Sequence, residues 1–374
     1  MVQAMAQMGA DGMWAGRDAQ CWAAGRRRIR VLLTAAMLPW LLPAAAQAAP
    51  GPVSHPATGN LGALSCPSAT LCYAVGTDGH TAVLDTLKNG KQVRSQKAAG
   101  MEDFIGVSCP STSFCQMTGD TSGGSAVQTY SVGKFGKVVK TSFSAWQVSC
   151  SSSSYCVIAG FGDGFTPTLE TAVVTHGKVG KPNTRVMHKP VETVTVYGIS
   201  CASSKACEMV GDVTTSGASG GIDSFYAGLG KGASIGKVHI IPSPPAKNGI
   251  SLGNGISCPH SQATCYVGGS DSTGSLLLSV SISGAQLKLV SKPTVLAEYI
   301  SCDTLRFCTG AGSGDGAIPA VQSFWKGKPG KEEDFGSAFG PSFSAVARPS
   351  LGTWVALEAQ AGVFTSTVIS GMPE

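Results

Sequence analysis

The amino-acid sequence predicts an all-β protein, a seven-bladed β-propeller of four-stranded antiparallel blades with one intra-blade disulfide in six of them. Three observations carry that expectation. Twelve of the 13 cysteines fall into six close pairs, and the text around those pairs repeats at a blade-sized period. Hardly any stretch sustains a 3.6-residue apolar period, so almost no helix is expected. With 49 glycines, 13% charged residues and recurring β-branched and aromatic residues, the composition suits many short strands joined by tight turns.

The first element is a leader. Arg26, Arg27, Arg28 and Arg30 precede the apolar run Val31 to Ala46, and Ala46-Gln47-Ala48 has the small-x-small pattern that signal peptidase accepts. Residues 1–48 read as a signal peptide and residues 49–374 as the propeller. The alternative is a retained N-terminal anchor, disfavoured by the shortness of the run and by Pro43. The long stretch before the arginines also suits a later start, such as Met13. Arg26-Arg27 has only part of a twin-arginine signal, and no Cys follows the cleavage site to carry a lipid. Removing the leader takes five of the 27 Lys and Arg and two of the 22 Asp and Glu, leaving 22 against 20. So close a balance argues against a nucleic-acid partner, which needs a dense basic patch.

Cys21 leaves with the leader, and the remaining cysteines pair in order along the chain: Cys66 with Cys72, Cys109 with Cys115, Cys150 with Cys156, Cys201 with Cys207, Cys258 with Cys265 and Cys302 with Cys308. First cysteines lie 43, 41, 51, 57 and 44 residues apart, within the range of propeller blades. A seventh copy persists without cysteines at Val346-Ala-Arg-Pro-Ser-Leu-Gly-Thr-Trp354, where Arg348 and Trp354 hold the two Cys positions. In an exported chain, two Cys separated by five residues fit the mouth of a hairpin, where facing Cβ atoms reach disulfide distance. The spacing suits neither a usual zinc ligand set nor a redox Cys-x-x-Cys, so no metal or cofactor is expected.

Within the second copy, Phe104 to Cys109 reads as the innermost strand and Cys115 to Thr118 as the start of the second. A turn at Asp120, Gly123 and Gly124 leads to a third strand, Ser125 to Val132. The hairpin Gly133-Lys-Phe-Gly136 then precedes an outer strand, Lys137 to Ser142. Third strands recur at Thr81 to Leu87, Leu169 to Thr175, Leu276 to Ile282, Ala320 to Trp325 and Phe364 to Ile369. The seventh copy ends soon after its third strand, so residues 49–59 are expected to close the ring as its outer strand. Pro50, Pro52 and Pro56 are tolerable at such an edge.

The pattern from Ser65 to Gly76, Ser-Cys-Pro-Ser followed by a second Cys and Ala-Val-Gly, resembles the repeat of secreted actinobacterial propeller proteins. More distantly, the strand order resembles the sialidase-like and photosystem II assembly factor propellers. The resemblance implies the fold, over nearly all of the mature chain. The Asp box that marks the sialidase-like repeat is absent, with turns such as Lys88-Asn-Gly-Lys91 in its place.

Chemistry is sparsely marked. A sialidase needs an arginine triad, and the mature chain has only Arg94, Arg185, Arg306 and Arg348. His55, His80, His176, His188, His239 and His260 show no ligand spacing, although a propeller lyase such as virginiamycin B lyase gathers its residues at the axis. No Gly-rich segment precedes a helix, so the glycines read as turn residues. One pattern stands out: the loop after the second strand carries Asp78, Asp120, Asp163, Asp212, Asp271 or Asp315, while the hairpins of the opposite face carry Lys91, Lys134, Lys137, Lys178, Lys181, Lys231, Lys237, Lys328 and Lys331. This suggests an acidic face for cations or basic ligands and a basic face for anionic wall polymers, although tight turns favour the same residues. Longer loops at Gly162 to Pro167, Val213 to Gly221 and Ile241 to Ser251 offer recognition surfaces. The leading expectation is a secreted, monomeric, non-enzymatic binding or scaffold module for an extracellular protein or cell-wall polymer. The alternatives are a hydrolase or lyase with its site at the axis, and a surface-layer component that self-associates.

Overall fold

The structure is a computed structural model that describes residues 53–162, 164–216, 221–244, 249–282, 286–304, 306–314, 318–335, 342–350, 353–359 and 365–371. The proposed signal peptide, Pro50, Pro52, Asp163 and Asp315 lie outside them. Ala49–Glu374 forms one compact unit. It contains seven antiparallel sheets; in six of them the strands follow chain order from the innermost outward, and in the seventh the outermost strand comes from the start of the unit. Blade 1 is Asn60–Ser68, Leu71–Thr77, Ala82–Lys88 and Lys91–Lys97. Blade 2 is Asp103–Ser111, Phe114–Thr121, Gly124–Ser131 and Lys134–Lys140. The inner strands of blades 3 to 7 are Ser144–Ser152, Val191–Ser203, Ser251–Ser257, Leu296–Cys302 and Ser342–Ser350. In blade 3 the outer strand is broken into Lys178–Val179 and Asn183–Val186. Blade 7 ends with Thr365–Gly371, and its outer strand is Val53–Thr58, paired from Val53 with Ser370 to Thr58 with Thr365. Among the described residues the only helical element is the short 3-10 turn Lys231–Ala233.

The middle strands are apolar on both faces because each blade is covered on both sides. Along Leu71–Thr77, Cys72 and Ala74 pack toward blade 7, whereas Tyr73 and Val75 pack toward blade 2. The core is therefore a series of layers between neighbouring blades. Burying such side chains stabilises by roughly 1.5–3 kcal/mol each, so the blades are held chiefly by one another.

All six cysteine pairs are bridged within their own blades: Cys66 to Cys72, Cys109 to Cys115, Cys150 to Cys156, Cys201 to Cys207, Cys258 to Cys265 and Cys302 to Cys308, with Cα atoms 3.9–4.1 Å apart. Each bridge ties the end of an inner strand to the start of the second strand. The second cysteines point into the layers between blades and are part of their cores. Cys115 and Cys265 are fully enclosed, and Cys72, Cys156, Cys207 and Cys308 are nearly so.

The serine before each first cysteine has a separate task. Its hydroxyl accepts the backbone N–H of the first cysteine of the next blade: Cys109 on Ser65, Cys150 on Ser108, Cys201 on Ser149, Cys258 on Ser200 and Cys302 on Ser257, at 2.8–3.0 Å. Arg348 N–H completes the series on Ser301 at 3.0 Å. In the seventh copy Ala347 replaces the serine, so the seam between blades 7 and 1 is keyed differently. There Leu61 N–H donates to Ser366 Oγ at 2.9 Å, and Ser344 Oγ donates to the Leu61 carbonyl at 3.0 Å.

Two local expectations are corrected. The hairpin between third and outer strands is two residues long, not four, so the outer strand of blade 2 begins at Lys134 instead of Lys137. The cause is a turn with positive φ at both central positions: Asn89-Gly90, Val132-Gly133, His176-Gly177 and Lys326-Gly327 all have it, and this geometry matches the strand twist. The turn after the second strand of blade 2 also falls later than expected, because Asp120 and Thr121 still pair with Ser125 and Gly124.

Candidate functional site: the mouth of the axial channel

Each inner strand carries a register shift near its start, at Leu61/Ala63, Phe104/Gly106, Ala145/Gln147, Val196/Gly198, Leu252/Ile256, Ala297/Tyr299 and Phe343/Ala345. A bulge re-aims the residue it inserts. Opposite the bulge in blades 1 to 6 stands a glycine, for instance Gly76, Gly119 and Gly160, and in each of these a Cβ would meet the carbonyl oxygen of Asn60, Asp103 or Ser144. The repeated glycine after the second cysteine thus makes room for the folded-back inner strand. In the seventh copy Glu358 stands there.

Around the bulges one non-repeating residue per blade faces the axis: Gly62, Ile105, Gln147, Tyr197, Asn254, Tyr299 and Ser344. Below them the channel narrows to a cavity of about 180 Å³ lined by small and aliphatic residues such as Ala63, Gly106, Gly198, Gly255 and Ile300. Above, where the loops after the second strands lie, it opens into a mouth of about 360 Å³. Asn60, Asp103, Gln147, Tyr197, Asn254, Tyr299 and Ser344 line the mouth, with Gly62, Gly76, Phe104 and Ile105.

The mouth is polar but nearly uncharged. Asp103 is its one carboxylate. Burial, reinforced by nearby Asp120, pushes it up to about 6 against the Phe104 N–H that it accepts, and its buried Oδ1 has no partner. Just behind, Glu298 is raised by burial while accepting from Ser313 Oγ at 3.4 Å. Tyr299 is raised by burial and by Glu298, partly offset by a hydrogen bond with Asn254, and Tyr197 by burial and by Asp212. No Lys, Arg or His is among the residues lining the mouth, so further negative charge is disfavoured there while a cation or neutral hydrogen-bonding group is not.

The residues singled out from the sequence stand elsewhere. No cysteine lines the mouth: the second cysteines Cys72, Cys115, Cys156, Cys207, Cys265 and Cys308 are spent on their bridges at the other end of the inner strands. The aspartates serve their own turns. Asp78 accepts the N–H groups of His80 and Thr81 at 3.1 and 2.9 Å and pairs with Lys97 at 2.6 Å, which lowers it to about 2. Asp271 accepts from Thr273 N and Oγ1 at 2.7 and 2.6 Å, with Lys292 at 3.8 Å. Asp120 and Asp212 lie one residue earlier, inside their second strands, and accept from Ser125 Oγ and Ser224 Oγ. None of these four lines the mouth, and their side chains do not occupy equivalent positions.

The arginine triad is not assembled. Arg94 and Arg185 lie on outer strands and Arg306 at the exposed disulfide-end turn of blade 6. Arg348 is buried and donates to Thr309 Oγ1 at 2.7 Å, its guanidinium lying over the Phe307 ring. The histidines are dispersed: His55 and His239 lie on outer strands, His239 stacked on Tyr226, and His176 occupies a hairpin turn.

With the ring complete, solved structures can be compared. The fold is that of the β-propellers. The chain is similar to the WD40 β-propeller domain of Doa1 (10% identity, TM-score 0.54, covering 85% of this chain and 95% of that one). It is also similar to the Cps50 (Swd1) β-propeller domain of Myceliophteria thermophila (10%, 0.55, 84% and 99%) and to YCF48, solved bound to a D1 peptide (11%, 0.52, 86% and 95%). At these identities the likeness is one of fold. No protein-family model and no curated protein matches the chain.

Sequence reasoning missed the mouth residues because it searched the repeated positions. The available signal was the reverse: three or four residues before each first cysteine the copies vary freely, giving Gly62, Ile105, Gln147, Tyr197, Asn254 and Tyr299 at the mouth, while the Ser and Cys that follow do not vary.

Proposed function

We propose that this chain is an exported, monomeric, non-enzymatic binding or scaffold module that holds an extracellular peptide or protein segment at the mouth of its axial channel. The observation that carries this reading is the convergence of Asn60, Asp103, Gln147, Tyr197, Asn254, Tyr299 and Ser344, one from each blade, at the channel mouth. Amide, phenol and hydroxyl groups dominate that set, and with Asp103 the only carboxylate lining the mouth it offers no acid–base pair there. Amides and phenols suit peptide backbone and side chains, and YCF48, a propeller of the same fold, is described as bound to a peptide. Export is supported by the arginine-led apolar leader, proposed to be removed after Ala48, and by the six disulfides. Among the described residues no helix is long and apolar enough to cross a membrane.

The test is a phage-displayed random-peptide library panned on the full exported chain. Enriched peptides are expected to bind the Tyr197→Ala/Tyr299→Ala double variant at least tenfold more weakly, with its thermal midpoint little changed. No enrichment, or equal binding by the variant, would overturn the reading.

A further inference from the structure

The outer strands of the first five blades share a charge pattern that stability alone does not demand. Lys91–Lys97, Lys134–Lys140, Lys178–Val179 with Asn183–Val186, Ile235–Ile241 and Leu287–Ser291 contain ten Lys and Arg and no Asp or Glu. Mature-chain charge is nearly balanced, so this is segregation and not a general excess. Among the described residues only Lys97 of these ten stands in an ion pair.

The backbone takes part in the arrangement. Outer strands are bulged close to the hairpin, at Thr86/Leu87, Gln128/Tyr130 and Ala227/Leu229, and blade 3 is interrupted at the same place, where Gly180 N–H still reaches the Val173 carbonyl. The residue following the inserted one is Arg94, Lys137, Lys181 or Lys237, each exposed. In three of the four, the inserted residue is a glycine. A second cation, Lys91, Lys134 or Lys178, sits at the hairpin three residues earlier in blades 1 to 3, roughly 10 Å away along an extended strand. Bulges and lysines both protect edge strands from pairing with other chains. Protection requires interruption or charge of either sign, however, and does not account for five successive strands without one carboxylate.

We propose that this circumferential basic girdle binds a linear polyanion, a flexible polymer with regularly spaced phosphate or carboxylate groups. The cations are spread around the outer edge of consecutive blades, so a flat anionic surface meets only a few at once, whereas a flexible chain can follow the rim and engage successive blades. Charge complementarity supplies the affinity, and salt weakens it. The girdle is separate from the channel mouth and stands whether or not a peptide binds there.

The probe is long-chain inorganic polyphosphate, titrated onto the full exported chain and read by fluorescence anisotropy. Binding is expected at about 50 mM salt, with loss of most of the affinity by about 0.5 M. The variant Lys134→Gln/Lys137→Gln/Lys178→Gln/Lys181→Gln should bind at least tenfold more weakly, and the same four positions changed to Arg should bind as the unmodified protein does. Three results would overturn the proposal: no binding by the unmodified protein, equal binding by the Gln variant, or equally tight binding to phosphatidylglycerol vesicles. Increased self-association of the Gln variant with unchanged polyphosphate binding would assign the lysines to edge protection instead.

Discussion

Glu208 follows the second cysteine of blade 4, Cys207, and is fully buried, and neither carboxylate oxygen has a hydrogen-bond partner. Other copies place Tyr73, Gln116, Val157 and Tyr266 there, and Tyr73 uses its hydroxyl to reach the Thr112 carbonyl of the next blade at 2.8 Å. Glutamate is too short for that bridge, and burial pushes its carboxyl up to about 9. The folded state therefore keeps a proton that the unfolded chain releases near pH 4.5, so stability falls as pH rises from about 4.5 to about 9. Glu208→Gln should remove that decline and stabilise the protein at pH 8 by on the order of 2 kcal/mol. Urea titrations at several pH values check this, and parallel losses in both proteins between about pH 6 and pH 9 would show that another group is responsible. At the opposite extreme, Arg348 and Trp354 show how a disulfide position is refilled: Trp354 fills the space against Gly371, and Arg348 reaches into blade 6.

Each of blades 1 to 6 is joined to the next by a hydroxyl-to-backbone key at the disulfide end, and at its other end its own bulged inner strand is seated over a glycine of its second strand. Removing a key leaves a largely buried N–H without a partner, so Ser108→Ala should cost about 1–2 kcal/mol through Cys150. Conversely, Ala347→Ser should supply the missing key between blades 7 and 1 and stabilise by about 1 kcal/mol, measured by urea denaturation. No gain would mean that the seam is spaced differently at Cys66. The lexical repeat announced both features without explaining them. Ser-Cys looked like part of a disulfide motif, and the glycine after it like a turn residue. The serine's partner lies in the neighbouring blade, which no single copy contains, and the glycine's role depends on a bulge that the hydrophobic pattern does not mark.

For the whole molecule, six short bridges on the chain-entropy model contribute roughly 2–2.5 kcal/mol each, comparable together to the ~5–15 kcal/mol stability of an ordinary domain. Peptide mapping of the purified protein should find every bridge within its own copy and no free thiol, and reduction should lower the thermal midpoint sharply; a bridge between copies would contradict the blade boundaries. Blade number, cysteine pairing, strand order and, among the described residues, the near absence of helix were legible in the sequence, because each is written inside one stretch of about 45 residues and repeated. Tertiary structure alone decided which residues meet. The mouth gathers Asn60, Asp103, Gln147, Tyr197, Asn254, Tyr299 and Ser344 from seven separate copies, and the girdle aligns cations from five. The physical reason is that a bulge reverses which side chains face the axis without leaving any mark in hydrophobic periodicity, while ring closure makes neighbours of residues a whole blade, or the whole chain, apart.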